Sequence, residues 1–238
     1  MEIGKKQRDP KKSLSRQVVD SIEEMIMERK LGPGDVLPTE IQISEELQVS
    51  KSSVREAIKM LEALGVVEIR RGLCTVISKN PEQGYMNVML SHFYLNSGNE
   101  EDLQNFRYII ESAYTTYAIH QATDNDLAAI REKLELFREK LRNGTLEAED
   151  DILFHGQILQ ATHNSFMISL GNALNELFRR SIAIAIRDNP EVALHDHESI
   201  YQAIVNRDPV AAEMVIAASA RQWAASFKIQ DAVAESTL

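Results

Sequence analysis

Between Gly32 and Ile77, chain breakers, helix caps and apolar spacing alternate on so short a period that few folds can accommodate them. Gly32-Pro33-Gly34-Asp35 stops any helix before it, because proline lacks the amide donor and glycine favours turn conformations. Leu37-Pro38-Thr39-Glu40 then opens a short helix with the Thr39 hydroxyl as its cap. The chain turns sharply around Gln48-Val49, and Ser50 caps a longer helix in which Val54, Ala57, Ile58, Leu61 and Leu64 recur at helical spacing. Gly65 ends that helix. Two β-rich runs follow, Val66 to Ile69 and Cys74 to Ile77, joined by Arg70-Arg71-Gly72-Leu73. Upstream, Leu14 to Glu28 reads as a helix with Val18, Val19, Ile22, Met25 and Ile26 facing the other two.

This order predicts a winged helix-turn-helix. Its longer helix buries an apolar face and leaves Lys51, Ser52, Ser53, Arg55 and Lys59 on the other side. Such a set suits the major groove, with hydroxyls and cations for phosphates and long donors for base edges. On the helix pattern alone, a small helical domain with a solvated charged face remains open. The run L-G-P-G-D-V-L-P-T-E, the segment V-S-K-S-S-V-R-E-A-I-K-x-L-E-A-L-G and the R-R-G-L-C-T-V-I wing together resemble the DNA-binding domain of the GntR family of bacterial transcriptional regulators. The resemblance covers about the first third of the chain. It implies that Thr39, Ser50, Lys51, Ser52, Ser53, Arg55, Arg70, Arg71 and Gly72 meet DNA. Two positions depart from the family pattern. Ile41 stands where an arginine usually reads a guanine, and an apolar side chain can at most touch a thymine methyl. Cys74 replaces the second glycine of the wing and reads as a packed residue.

A net charge of −10 conflicts with DNA binding until its distribution is considered. Residues 1–80 are near neutral, with 14 Lys/Arg against 13 Asp/Glu, whereas the remainder holds 12 against 23. The acidity therefore belongs to the second part, which should stay off DNA. Lys5, Lys6, Arg8, Lys11 and Lys12 form a basic cluster ahead of the first helix, either a solvated arm or a further DNA contact. The single cysteine excludes an intrachain disulfide framework. No apolar run spans a bilayer and the N-terminus lacks a signal-peptide core, so a cytoplasmic bacterial protein with no membrane partner is expected.

After Ile77 the polar segment Ser78 to Gly84 is broken by Pro81 and Gly84. The expected organisation is a DNA-binding domain at 1–78, a linker at 79–85 and an all-α domain at 86–238, so the chain is mostly α. Helical periodicity runs from about Met86 to Leu95, Asp102 to Gln121, Asp124 to Leu141, Leu146 to Ala161, Ser165 to Ile186, Leu194 to Val205 and Pro209 to Ile229.

Within that domain Asp151 and His155 stand four residues apart, so both project from one helix face. A carboxylate and an imidazole so placed suit zinc, nickel or manganese, and His197 lies on a later helix able to cross the first. A hydrogen-bonded polar pocket without metal is the other reading. Arg107 and Glu111 sit one turn apart beside the apolar residues Phe106, Ile110, Ala113, Tyr114 and Tyr117. They read either as a pocket arginine that grips a carboxylate or as a surface ion pair worth ~0.3–0.5 kcal/mol.

The pieces F-R-Y-I-I-E from Phe106, D-I-L-F-H from Asp151, Asn164, and H-E-S-I-Y-Q-A-I from His197 resemble the FCD ligand-binding domain of the FadR subfamily. That resemblance implies metal ligands at Asp151, His155 and His197, with Ser219 where the family has a fourth, histidine ligand. It further implies an effector site drawing on Arg107, Glu111, Asn164 and Ser219. The function expected is a DNA-binding regulator, most often a repressor in this family and not an enzyme. It would bind a palindromic operator as a homodimer and answer to a small organic acid. Two other classes stay open: a metal-dependent enzyme with an accessory DNA-binding domain, and an architectural DNA-binding dimer with no effector.

Overall fold

Helix α1 (Leu14–Glu28) begins where the Ser13 hydroxyl accepts from the Arg16 amide, and it buries Val18, Val19, Ile22 and Met25 along one stripe. The computed structural model describes residues 13–79, 84, 88–89, 95 and 99–224. It divides the chain into two units, Met1–Val88 and Met89–Leu238. The basic cluster at 5–12, and most of the expected linker and of the helix expected at 86–95, lie outside the described residues.

In the first unit α2 (Glu40–Leu47) starts with a capping box between Thr39 and Gln42. It ends on Gln48, which takes a left-handed conformation at φ 54°. That turn is tied by the Val49 amide on the Ser44 carbonyl at 3.1 Å and by the Ser44 hydroxyl on the Val49 carbonyl at 2.7 Å. The chain therefore re-enters a helix at once as α3 (Lys51–Ala63), capped by Ser50. Strands β1 (Val67–Arg70) and β2 (Cys74–Ile77) form an antiparallel hairpin that pairs Arg70 with Cys74. The first strand begins one residue later than its sequence predicts. Val66 is used to close α3, its amide bonding the Leu61 carbonyl at 2.9 Å after Gly65 turns at φ 75°. Gly72, also at φ 75°, makes the wing turn. Ile22, Met25, Ile43, Val54, Ala57, Ile58, Leu61 and Val67 meet in one apolar core.

From residue 99 to 224 the second unit has six helices: α4 (Glu100–Gln121), α5 (Asp124–Asn143), α6 (Ala148–Gln160), α7 (Ser165–Asp188), α8 (Pro190–Val205) and α9 (Pro209–Ala224). Capping boxes open α4 (Asn99 with Asp102), α5 (Thr123 with Asp126) and α6 (Glu147 with Asp150). Helix α8 starts four residues earlier than its periodicity suggests, because Pro190 occupies the first helical position, where its fixed φ and missing amide cost nothing. Helix α4 packs on α9, α6 on α5 and α7, and α8 on α5 and α9. The Arg207 guanidinium donates to the Ile119 and Ala122 carbonyls, closing the C-terminal end of α4. Apolar clusters around Phe154 and around Phe137 and Phe178 hold this bundle together. Among the described residues, no helix is long and apolar enough to cross a membrane.

Candidate functional site

Two surfaces concentrate the residues singled out above, one in each unit. On the first, Lys51, Ser52, Arg55 and Lys59 of α3 are exposed, as are Arg70, Arg71 and Gly72 of the wing. Ser53 is half-buried. The Ser50 hydroxyl accepts from the Ser53 amide at 3.2 Å and lies 2.8 Å from the Ser52 hydroxyl, so a hydroxyl cluster crowns the N-terminus of α3. The Thr39 hydroxyl is used by its own capping box with Gln42. Arg55 reaches across to α2, where it meets Glu40 through two nitrogens, Nη2 to Oε2 at 2.9 Å and Nε to Oε2 at 3.2 Å. Ile41 beside it is 49% exposed.

In the second unit a cavity of about 410 Å³ opens among α4, α6, α7, α8 and α9. Asp151 and His155 on α6 and His197 on α8 point into it, each with a metal-competent atom within 4.8 Å of the others. The His197 Nε2 lies 3.1 Å from Asp151 Oδ1, and the His155 Nε2 lies 4.0 Å from Asp151 Oδ2. On its other side the His155 Nδ1 faces the Tyr114 hydroxyl at 3.2 Å and Glu111 Oε1 at 3.5 Å. Glu111 Oε2 in turn stands 3.6 Å from Arg107 Nε, and the Arg107 guanidinium lies 5.4 Å from the Phe178 ring centre. Arg107, Glu111, His155, Asp151 and His197 therefore form one polar chain along the cavity wall. The His197 ring is stacked on Phe154 with centres 4.1 Å apart and meets the edge of Phe137 at 4.6 Å, which sets its plane.

Electrostatics favour ligand chemistry here. Burial alone would raise the Asp151 carboxyl, but His155, a hydrogen bond from His197 and the Arg107 charge together hold it far below the usual carboxylate range. It is ionised at neutral pH. Burial pushes His155 below the ordinary histidine value, more than nearby Glu111 and Asp151 lift it, so its ring is neutral and keeps a lone pair for a ligand. Tyr114 is pushed well up by burial and by Glu111, and its hydroxyl keeps its proton. Asp151 Oδ2 and His197 Nδ1 are both buried without a hydrogen-bond partner. A buried carboxylate oxygen left 4.0 Å from the nearest imidazole nitrogen is costly unless a cation joins it. The donor set, one carboxylate oxygen and two imidazole nitrogens, fits zinc, nickel or manganese. His155, with its far nitrogen turned to Glu111 and Tyr114, has the outer contact that metal-binding histidines commonly make.

Arg107 and Glu111 lie in the cavity wall with side chains 15% and 12% exposed, which removes the surface ion-pair reading. Ser219 on α9 also lines the cavity and is hydrogen-bonded to Asp196, whose carboxyl burial raises. Asn164 is placed otherwise than expected. Its side-chain oxygen accepts from the Phe166 and Met167 amides at 3.1 Å as the N-cap of α7, so that oxygen serves the helix, and Asn164 is not among the cavity residues. Sequence reasoning missed Tyr114, which it took for an apolar residue. Its place three residues after Glu111, on the same helix face, was the available signal. Asp196 carried no local signal, since its partner Ser219 comes from another helix.

Residues 14–77 match the family described as "Bacterial regulatory proteins, gntR family", and residues 102–221 match the FCD domain. The chain is 30% identical over 216 residues to the Uxu operon transcriptional regulator of Escherichia coli (strain K12), covering 82% of this chain and 79% of that one. It is 28% identical over 218 residues to the HTH-type transcriptional repressor NanR of Salmonella newport (strain SL254), covering 87% and 82%. Among solved structures, Streptococcus agalactiae GntR superposes with a TM-score of 0.68 at 25% identity, over 89% of this chain and 99% of that one. With a winged helix-turn-helix in one unit and an FCD domain in the other, the chain belongs to the gntR family of bacterial regulatory proteins and is a DNA-binding transcriptional regulator.

Proposed function

We propose that this regulator is a cytoplasmic repressor that binds a palindromic operator as a homodimer and releases it when a small carboxylate-bearing metabolite enters the second unit. Helix α3 reads the major groove, while Arg70, Arg71 and Gly72 of the wing follow the backbone. A dimer is required because one such domain covers too little DNA for tight specific binding. No substrate is turned over. The effector acts by binding two conformational states unequally.

The observation that carries the effector reading is the polar chain from Arg107 to His197 opening into the cavity. The lining holds one guanidinium, Arg107, against three carboxylates, Glu111, Asp151 and Asp196. An anionic effector needs more positive charge than that. Asp151, His155 and His197 would hold one divalent ion of zinc, nickel or manganese type, and that ion when bound supplies charge a carboxylate can neutralise. Arg107 serves as the second anchor through parallel donors. Ser219, a poor ligand in the place of a fourth histidine, leaves room beside the three.

Elemental analysis of protein purified without chelator or affinity metal tests this directly. His155→Ala should lose bound metal and the response to effector yet still bind operator. Arg107→Ala should keep the metal and lose the response, and Ser219→His should tighten metal binding. Absence of metal, together with a response that survives His155→Ala, would overturn the metal reading and leave Arg107 as the anchor. Consumption of candidate acids by the metal-loaded protein would overturn the absence of turnover.

A further inference from the structure

Glu40 stands on the surface assigned above to DNA, where a carboxylate would repel phosphates unless its charge were matched. It is matched by one residue. Arg55 donates from Nε to both carboxylate oxygens, at 3.3 and 3.2 Å, and from Nη2 to Oε2 at 2.9 Å, joining the first turn of α2 to α3. Stability does not account for the pair. The Arg55 side chain is 63% exposed, and exposed ion pairs contribute little. What the contact does is fix a plane, because a guanidinium gripped along its Nε side cannot rotate about its last bonds. The opposite end bears Nη1 and the second Nη2 hydrogen, on a side chain that is 63% exposed. Arg55 is also the sole guanidinium on α2 and α3, since position 41 holds isoleucine.

We infer that Glu40 is a positioning residue for base recognition: it holds Arg55 side-on so that the Nη1–Nη2 end offers two parallel donors to a guanine. Those donors match the O6 and N7 acceptors of guanine in the major groove. The inference rests on the reading that α3 enters that groove.

The full-length protein and its Glu40→Gln, Glu40→Ala, Arg55→Ala, Glu40→Ala/Arg55→Ala and Lys51→Ala variants are used to select from a pool of random-sequence duplexes. Each is then titrated with the wild-type selected site and with a random duplex over a range of salt. Circular dichroism checks that each variant is folded. Both Glu40 variants should bind the random duplex at least as tightly as wild type, a negative charge having left the phosphate-facing surface. Their preference for the selected site should fall roughly tenfold to a hundredfold, with loss of one guanine preference, the same one Arg55→Ala loses. Glu40→Ala should change nothing further in the Arg55→Ala background. A Glu40→Gln protein with unchanged selection and unchanged preference, beside an Arg55→Ala protein that has lost both, would overturn the positioning role. If Arg55→Ala also leaves selection intact while Lys51→Ala weakens binding, the pair is an ordinary surface contact and the inference fails. If neither Lys51→Ala nor Arg55→Ala alters binding, it is the assignment of α3 itself that falls.

Discussion

The two units put their polar chemistry in opposite places. In the first, the buried side chains among the described residues are apolar apart from Ser78, and the charged residues of α3 and the wing face outward. In the second, Asp151, His155 and His197 are buried, along with Asp150, Asn175, Thr115, Thr162 and Ser181. A surface site of the first kind can change its specificity with small effects on folding. A buried site of the second kind couples any change of function to stability, because each removed partner leaves another group desolvated and unpaired.

This contrast can be broken most readily at α3. Replacing Lys51 and Arg55 together with alanine should weaken binding to a selected operator by about 2–6 kcal/mol, two base-edge contacts at ~1–3 each. Helical content and melting temperature should stay as they were, which circular dichroism checks. A large fall in melting temperature would show that the surface is structural after all. The buried centre should behave in the reverse sense. Asp151→Ala removes the acceptor of His197 and should cost about 1–3 kcal/mol in denaturant titrations, with loss of metal but with operator affinity kept.

A packing contact gives an effect of similar size with no polar group involved. A side chain at Gly171 on α7 would place its Cβ 2.4 Å from Leu159 Cδ2 on α6. Gly171→Ala should therefore destabilise the second unit by about 1–3 kcal/mol. Asn164→Ala should cost ~0.5–2 kcal/mol, the worth of a helix cap, and leave effector affinity unchanged. A loss of affinity without loss of stability would return Asn164 to the cavity.

The smallest effect concerns pH. Burial holds His155 below the ordinary value of 6.5, so the unfolded chain takes up this proton before the folded one does. The stability it contributes is fully present above pH 6.5 and declines as the pH falls below that value. Metal-free protein should show this slope in its denaturation midpoints, and His155→Asn should flatten it.

Most of the first unit was legible along the chain. Thr39 and Ser50 are caps whose partners lie within three residues, and Gly65 and Gly72 occupy turns that need positive φ. The misplaced start of β1 came from Val66, whose amide serves the preceding helix. In the second unit the spacing of Asp151 and His155 was enough to put them on one face, since both belong to one helix. Asn164 shows the limit of resemblance as a guide. Its position matches a motif, yet its oxygen is consumed by the helix that follows.

What the sequence determined by itself is the set of interactions between near neighbours: caps, turns, helix periodicity and the exposed cations of α3. These depend on a few residues whose relative geometry the local backbone fixes. Tertiary structure alone decided the rest. Only the crossing of α6 and α8 brings His197 to Asp151, and only the approach of α4 turns Glu111 and Tyr114 onto His155. The meeting of α8 with α9 likewise pairs Asp196 with Ser219. Those contacts join residues tens of positions apart, and packing rather than local preference sets their distances. Their electrostatics follow in turn, since the same burial that gathers these groups removes the water that would otherwise screen them.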